Sequence, residues 1–218
     1  MKFFVIIKDQ SERVPDKNFR MLGEKFLYKH LLDRLPDNKT YVNTDSKRVE
    51  GKFIIIERKE KHILWEKERP SSPVLSMIED FLNEHVQDEN EIIVTPHVTS
   101  PFLKLETILE ASRLIGEYDS VLSCTIHKEF AYLKSDKEIK PINFGYNMVK
   151  RTQDLDPIIF QNGAFFIFTK KTFMEQKNRI GVNPFFFKLS FPESLEIDYE
   201  QDYALAKLFL LNKVKGQK

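Results

Sequence analysis

The stretch "FFVIIKDQSERVPDKNF", residues 3–19, sets an unbroken apolar run directly against a loop that holds both charges, a proline and no glycine. Five consecutive apolar residues without polar alternation mark a strand covered on both faces, as in the parallel sheet of an α/β protein. Open sheets of that kind bind ligands beyond the carboxyl ends of their strands. The loop therefore has two readings. It is a solvated connector, or it holds a polyanion, with Lys8, Arg13 and Lys17 as cations and Ser11 and Asn18 as neutral donors.

Outward from this stretch, the same kind of run recurs as TYVNT (40–44), KFIIIE (52–57), EIIVT (91–95) and DSVLSCTI (119–126). Helical periodicity falls between the runs, in EKFLYKHLLDRL (24–35), SPVLSMIEDFLNEHV (72–86) and KLETILEASRLIGE (104–117). The first helix puts Phe26, Leu27, His30, Leu31 and Leu35 on one stripe, and the second opens on Ser72 as cap with Pro73 at its first position. This alternation predicts a three-layer α/β fold with a mostly parallel sheet. It breaks over about 127–160, where short, polar, hairpin-like pieces read as an excursion serving as a lid or dimer contact. GAFFIFT (163–169) and PFFFKL (184–189) return as strands around a short helix at 170–178, and YEQDYALAKLFLLNK (199–213) closes as a helix. Residues 1–218 read as a single domain.

Composition narrows the partners. Thirty-four basic and 33 acidic residues leave a formal charge of +1, so no electrostatic footprint exists for nucleic acid or a membrane surface, and any anion site must be local. The only cysteine, Cys124, excludes an internal disulfide and fits a reducing compartment. MKFFVIIKDQ lacks the features of a signal peptide and no stretch approaches membrane-spanning length, so a cytoplasmic location is expected. The five histidines have no metal-ligand spacing, and neither a P-loop nor G-x-G-x-x-G occurs.

Polar clusters follow several predicted strands: Lys8 to Asn18, Thr44-Asp45-Ser46, Arg58, and Thr99-Ser100. Near the end, Glu196 and Asp198 are two carboxylates one residue apart, which on a strand would point to one side, as a metal bridging phosphates requires. Asp198 with Gln201 three residues later is equally a capping box for the last helix. Both readings stand.

Taken together, IKDQSERVPDKN (through Ser11, Pro15, Lys17 and Asn18), NTDS (43–46), HVTSPFL (97–103), RTQDL (151–155), QNGAFFIF (161–168) and EIDYEQD (196–202) resemble, in order, the motifs of the CMP-N-acylneuraminate synthetases. The resemblance spans nearly the whole chain. It implies a nucleotide-diphospho-sugar transferase-like fold, a homodimer, and Mg²⁺-dependent transfer of CMP from CTP to the anomeric hydroxyl of a nonulosonic sugar acid. Its implied catalytic residues are Lys17, Lys8 and Asp198. Its implied nucleotide contacts are Lys8, Ser11, Arg13, Lys17, Asn18, Asp45, Arg58 and Ser72. His97, Thr99, Ser100, Arg151, Gln153, Asn162 and Gly163 would bind the sugar, and Asp198 and Glu196 the metal.

The sequence departs from the family where phosphate is gripped. Lys8 replaces an arginine, Asp9 and Gln10 replace glycines, and Glu12 replaces a lysine. His97 stands for a glutamine and Glu196 for an aspartate. An aspartate at position 9 is expected to repel phosphate. A nucleotide- or sugar-binding relative without turnover, and a nucleotidyltransferase for another sugar such as 3-deoxy-manno-octulosonate, remain as alternatives.

Overall fold

The computed structural model describes residues 1–11, 13–68, 73–147 and 150–215. Its centre is a seven-stranded sheet built from β1 (Lys2–Ile7), β4 (Thr40–Thr44), β5 (Ile54–Glu57), β6 (Ile92–Pro96), β7 (Ser120–His127), β10 (Ile158–Thr169) and β11 (Pro184–Lys188). The strand order is β11-β7-β10-β6-β1-β4-β5. β1 pairs in parallel with both β4 and β6, β4 with β5, and β7 with β11. β10 alone runs against its neighbours, β6 and β7.

The period-two alternation of β1 explains the layers. Phe3, Val5 and Ile7 face one core, shared with Tyr28, Leu31 and Leu32 of α1 (Leu27–Leu32) and Ile108 and Ala111 of α4 (Leu105–Ser112). Phe4 faces the other, stacked 4.4 Å from Phe81 of α3 (Val74–His85) and sharing a cluster with Phe166, Phe168 and Phe173. Phe173 belongs to α5 (Lys170–Gln176). The three-layer, mostly parallel α/β architecture is therefore present.

A third, smaller core positions the carboxyl-terminal segment. Leu22, Leu27 and Phe102 pack with Ile197, Tyr203 and Ala206, and the Tyr203 hydroxyl donates to the Met21 carbonyl at 2.5 Å. This seats α6 (Glu200–Lys215) against the hairpin of β2 (Met21–Leu22) and β3 (Lys25–Phe26), and so fixes where Asp198 lies.

Several expectations need correction. The helix predicted from 24 begins at Leu27, because Gly23 adopts φ 66° and turns the preceding residues into the hairpin. Helix α2 (Glu60–Glu68) was not anticipated, since its charged sequence shows no apolar stripe. Pro73 is the cap of α3 rather than its first residue, and Ser72 lies outside the described residues. The excursion contains the hairpin of β8 (Tyr132–Lys134) and β9 (Ile139–Pro141), and β10 extends back into it as far as Ile158. Among the described residues no helix is long and apolar enough to cross a membrane.

Candidate active site

The loop after β1 is held from within. Val14 is fully buried, and Asp16, at φ 58°, turns the chain into a one-turn 3-10 helix at Lys17–Phe19. Asn18 then ties the loop's end to its beginning, its side-chain amide donating to the Lys8 carbonyl at 2.9 Å. Arg48 clasps the outside: its guanidinium lies 3.8 Å from the Phe19 ring centre and pairs with Asp16 at 2.7 Å and Asp9 at 3.1 Å.

Asp9 behaves differently from what its sequence position suggested. Its carboxylate accepts from the Ser46 hydroxyl and from Arg48, and it does not line the cavity described next. The Ser46 hydroxyl first, and Arg48 with it, hold the Asp9 carboxyl below its ordinary range. Its charge is thus spent on the loop's own frame, and the expected repulsion of phosphate is not built into the wall. Glu12 lies outside the described residues.

Between this loop, the ends of β1 and β6, and the start of α3 is a cavity of about 330 Å³. Its wall includes Lys8, Gln10, Ser11, Arg13, Lys17 and Asn18 from the loop, Thr95, His97 and Thr99 from β6 and its end, and Arg179. Among the described wall residues four are cations and none is an acid. Such a wall recognises an anion.

Two of these cations share a carboxylate that does not itself line the cavity, Asp198. Lys17 Nζ donates to Asp198 Oδ1 at 3.1 Å and to the Ile197 carbonyl at 2.8 Å, and Arg13 donates to the same oxygen at 2.9 Å. Lys17 is the anchored partner, with 12 % of its side chain exposed against 55 % for Arg13. An exposed ion pair is worth only about 0–1 kcal/mol, so Arg13 is cheap to redirect toward a ligand. Asp198 accepts from Arg13 and Lys17 rather than from α6, and Asp202 in the first turn of α6 reaches back to accept from the Asp198 and Tyr199 amides at 3.0 and 2.8 Å.

Glu196 lies against the turn after β6, accepting from the Thr99 hydroxyl at 3.1 Å with His97 Nδ1 at 3.5 Å. Gly163, at φ 72°, backs this group. A Cβ there would meet Glu196 Oε2 at 3.2 Å and His97 Nδ1 at 3.6 Å, which is why the chain passes here without a side chain. The neighbouring Asn162 accepts from the Ala164 amide at 3.4 Å.

The remaining predicted residues are placed elsewhere. Asp45 is one step behind the loop, accepting from the Asp9 amide at 3.0 Å. Arg58 is 3 % exposed and bolts the strand ends together, donating to the Ile7 carbonyl at 2.9 Å and Asn43 at 3.2 Å. Ser100 is wholly buried in the turn after β6. Arg151 and Gln153 are exposed on the excursion; Arg151 pairs with Asp154, and neither is in the cavity wall. Arg58, Ser100, Arg151 and Gln153 are not among the residues that line this cavity. Thr95 and Arg179 are wall residues that the sequence reading missed. Arg179 sits in a polar turn, "EQKNRIG", with no local signal to set it apart.

This fold is that of nucleotidyltransferases. It matches 2-C-methyl-D-erythritol 4-phosphate cytidylyltransferase of Francisella tularensis with a TM-score of 0.65 at 12 % identity, covering 95 % of this chain and 99 % of that one. It matches the CMP:2-keto-3-deoxy-manno-octonic acid synthetase, solved with CTP, at 0.60 and 12 % identity, covering 97 % and 98 %. The chain belongs to the cytidylyltransferase family, whose pattern covers residues 9–217. It is 28 % identical over 206 residues to an N-acylneuraminate cytidylyltransferase of Streptococcus agalactiae serotype III, covering 88 % of this chain and 49 % of that protein. With N-acylneuraminate cytidylyltransferase A of Danio rerio it shares 26 % identity, covering 93 % and 49 %. The chain spans about half the length of these relatives.

Proposed function

We propose that this chain transfers CMP from CTP to the anomeric hydroxyl of an acylneuraminate-like sugar acid and releases pyrophosphate. The observation that carries the reading is the cation-walled cavity at the mouth of β1, closed at its rim by Lys17 and Asp198 at 3.1 Å. In this reaction the anomeric oxygen bonds to the α-phosphorus, the bond to the bridging oxygen breaks, and the hydroxyl proton is lost to water. Such chemistry depends on positioning and charge neutralisation rather than on a covalent role for the protein. Lys8, Arg13 and Lys17 would neutralise the triphosphate, with Ser11 and Asn18 as donors beside it. His97, Thr99, Asn162 and Gly163 would line the sugar's side.

Asp198 suits a magnesium ion, with Glu196 as a second carboxylate. Both contacts of Asp198 fall on one oxygen, and the side chain is 32 % exposed. Mg²⁺ takes most of its ligands from phosphate and water, so one or two carboxylates would suffice. When bound there, Mg²⁺ would supply charge neutralisation at the phosphates.

The excursion supports a homodimer. Tyr132, Leu133, Ile139, Ile142 and Tyr146 are each at least half exposed on it, more apolar surface than a hairpin normally leaves to water. In the dimer we assign Arg151 and Gln153 to the neighbouring protomer's sugar site. A cytoplasmic setting, where CTP is available, completes the reading.

A CTP-dependent pyrophosphate assay against a panel of nonulosonic acids and 3-deoxy-manno-octulosonate tests it. Release should require both a sugar acid and Mg²⁺. Calorimetric binding of CTP with no release from any acid would instead make this a nucleotide-binding relative without turnover.

A further inference from the structure

We propose that Arg179, with the Thr95 hydroxyl next to it, is the receptor for the carboxylate of the sugar acid at the inner end of the cavity. Arg179 lies in the turn between α5 and β11, with its guanidinium carbon 3.5 Å from the ring centre of Phe166. Stacking on an aromatic ring occupies the face of the guanidinium and leaves its N–H edge for a planar, doubly accepting oxyanion. Among the described residues that edge has no hydrogen-bond or ion-pair partner. Burial alone pushes the Arg179 pKa down, to about 10, with no carboxylate acting against it; the group stays charged at neutral pH.

A second observation points the same way. Thr95 is 3 % exposed, lines the cavity, and its hydroxyl has no hydrogen-bond partner. It sits directly across from Phe166 in the β6–β10 register, so its side chain and the ring under Arg179 are neighbours on one sheet face. A half-buried cation and a buried hydroxyl, both unanswered, are costly to the free protein, and a bound oxyanion removes that cost.

Position selects the source of the oxyanion. His97, beside Glu196 and Gly163, has its ring 6.1 Å from the same Phe166, which puts Arg179 on the sugar side. The triphosphate side already has Lys17 and Arg13, held at the rim by Asp198. Arg151, the other arginine that could take the carboxylate, has its fork occupied by Asp154 at 2.6 and 3.2 Å.

This assignment rests on the cytidylyltransferase reading, so the test separates the two. Calorimetric titration of the wild-type, Arg179→Met and Arg179→Lys chains is carried out with N-acetylneuraminate and, separately, with CTP. Arg179→Met should weaken the sugar acid by about tenfold or more and leave CTP within about twofold; Arg179→Lys, which keeps charge without the fork, should fall between. Weakened CTP with unchanged sugar acid would move the receptor to a phosphate and overturn the proposal, as would no change in either. The second arm needs no turnover: phenylglyoxal labelling of wild-type Arg179, read by peptide mass, with excess pyruvate or its neutral amide. Pyruvate should slow labelling severalfold and the amide should not. Protection by pyruvate in a chain that binds no CTP would sink the functional reading and leave the receptor standing. Active turnover with Arg179 labelling unmoved by pyruvate or N-acetylneuraminate would sink the receptor alone.

Discussion

The two walls of the cavity carry similar charge in opposite states. At the outer rim, Lys17 and Arg13 share Asp198, so each cation meets a ligand with its counter-ion already in place. At the inner end, Arg179 rests on Phe166 with no carboxylate beside it. On the proposed reading, an arriving nucleotide would make the outer wall exchange partners. The inner wall only has to be filled. A site can therefore be rigid where it reads one functional group and rearrangeable where phosphate charge has to be gathered and released.

Breaking the outer wall should have the largest effect. Lys17→Ala removes the anchored cation, and a loss of about a thousandfold in kcat is expected, on the scale of deleting one preorganised electrostatic group. A CTP-dependent pyrophosphate assay measures it, and full activity would refute the site assignment. Asp198→Asn should separate binding from turnover. It frees Lys17 and Arg13, so CTP should bind more tightly without Mg²⁺ in calorimetry, while turnover drops by about a hundredfold.

Next in size is Gly163→Ala, beside Glu196 and His97. The left-handed backbone at φ 72° and the close approach of Glu196 should cost about 1–2 kcal/mol, read as a lowered denaturation midpoint. A midpoint equal to wild type would mean that Glu196 and His97 give way freely. The smallest effect is expected at Arg13→Ala. Its pair with Asp198 is more than half exposed on the arginine side, so stability should change by about 1 kcal/mol or less while the KM for CTP rises.

The scaffold under both walls has its own pH response. Burial holds the His30 pKa below 6.5, opposed by the bond to the Leu22 carbonyl. The unfolded chain therefore binds more protons near and below that pH, so this contribution to stability is present above it and is lost as pH falls through it. Thermal melts between pH 7.5 and 5.5 should show a falling midpoint, with a shallower fall in His30→Gln; a parallel fall in both chains would contradict the assignment.

The outer wall was legible because its parts are local. A continuous apolar strand followed at once by Lys8, Arg13, Lys17 and Asn18 announces both the sheet and the loop that walls the cavity within one stretch. Most strands and helices were readable for the same reason, each having a period of its own. The inner wall was not, because Arg179 acquires meaning only through long-range pairing. The β6–β10 register must set Thr95 across from Phe166, and the turn before β11 must fold back over that ring. Nothing within "EQKNRIG" encodes that juxtaposition. Arg58 shows the other limit: it follows a strand as a ligand-binding arginine would, and only the fold shows that the backbone carbonyl of Ile7 and the side chain of Asn43 also hold it in the framework.

The reversed strand has a mechanical consequence. β10 begins at Ile158 among the half-exposed residues of the excursion and continues, without a break in the chain, to Phe166 beneath Arg179. Its pairing with β7 shifts between Gln161 and Phe166, a break in the ladder of the kind that bends a strand. One length of backbone thus joins the surface of the excursion to the ring on which Arg179 rests.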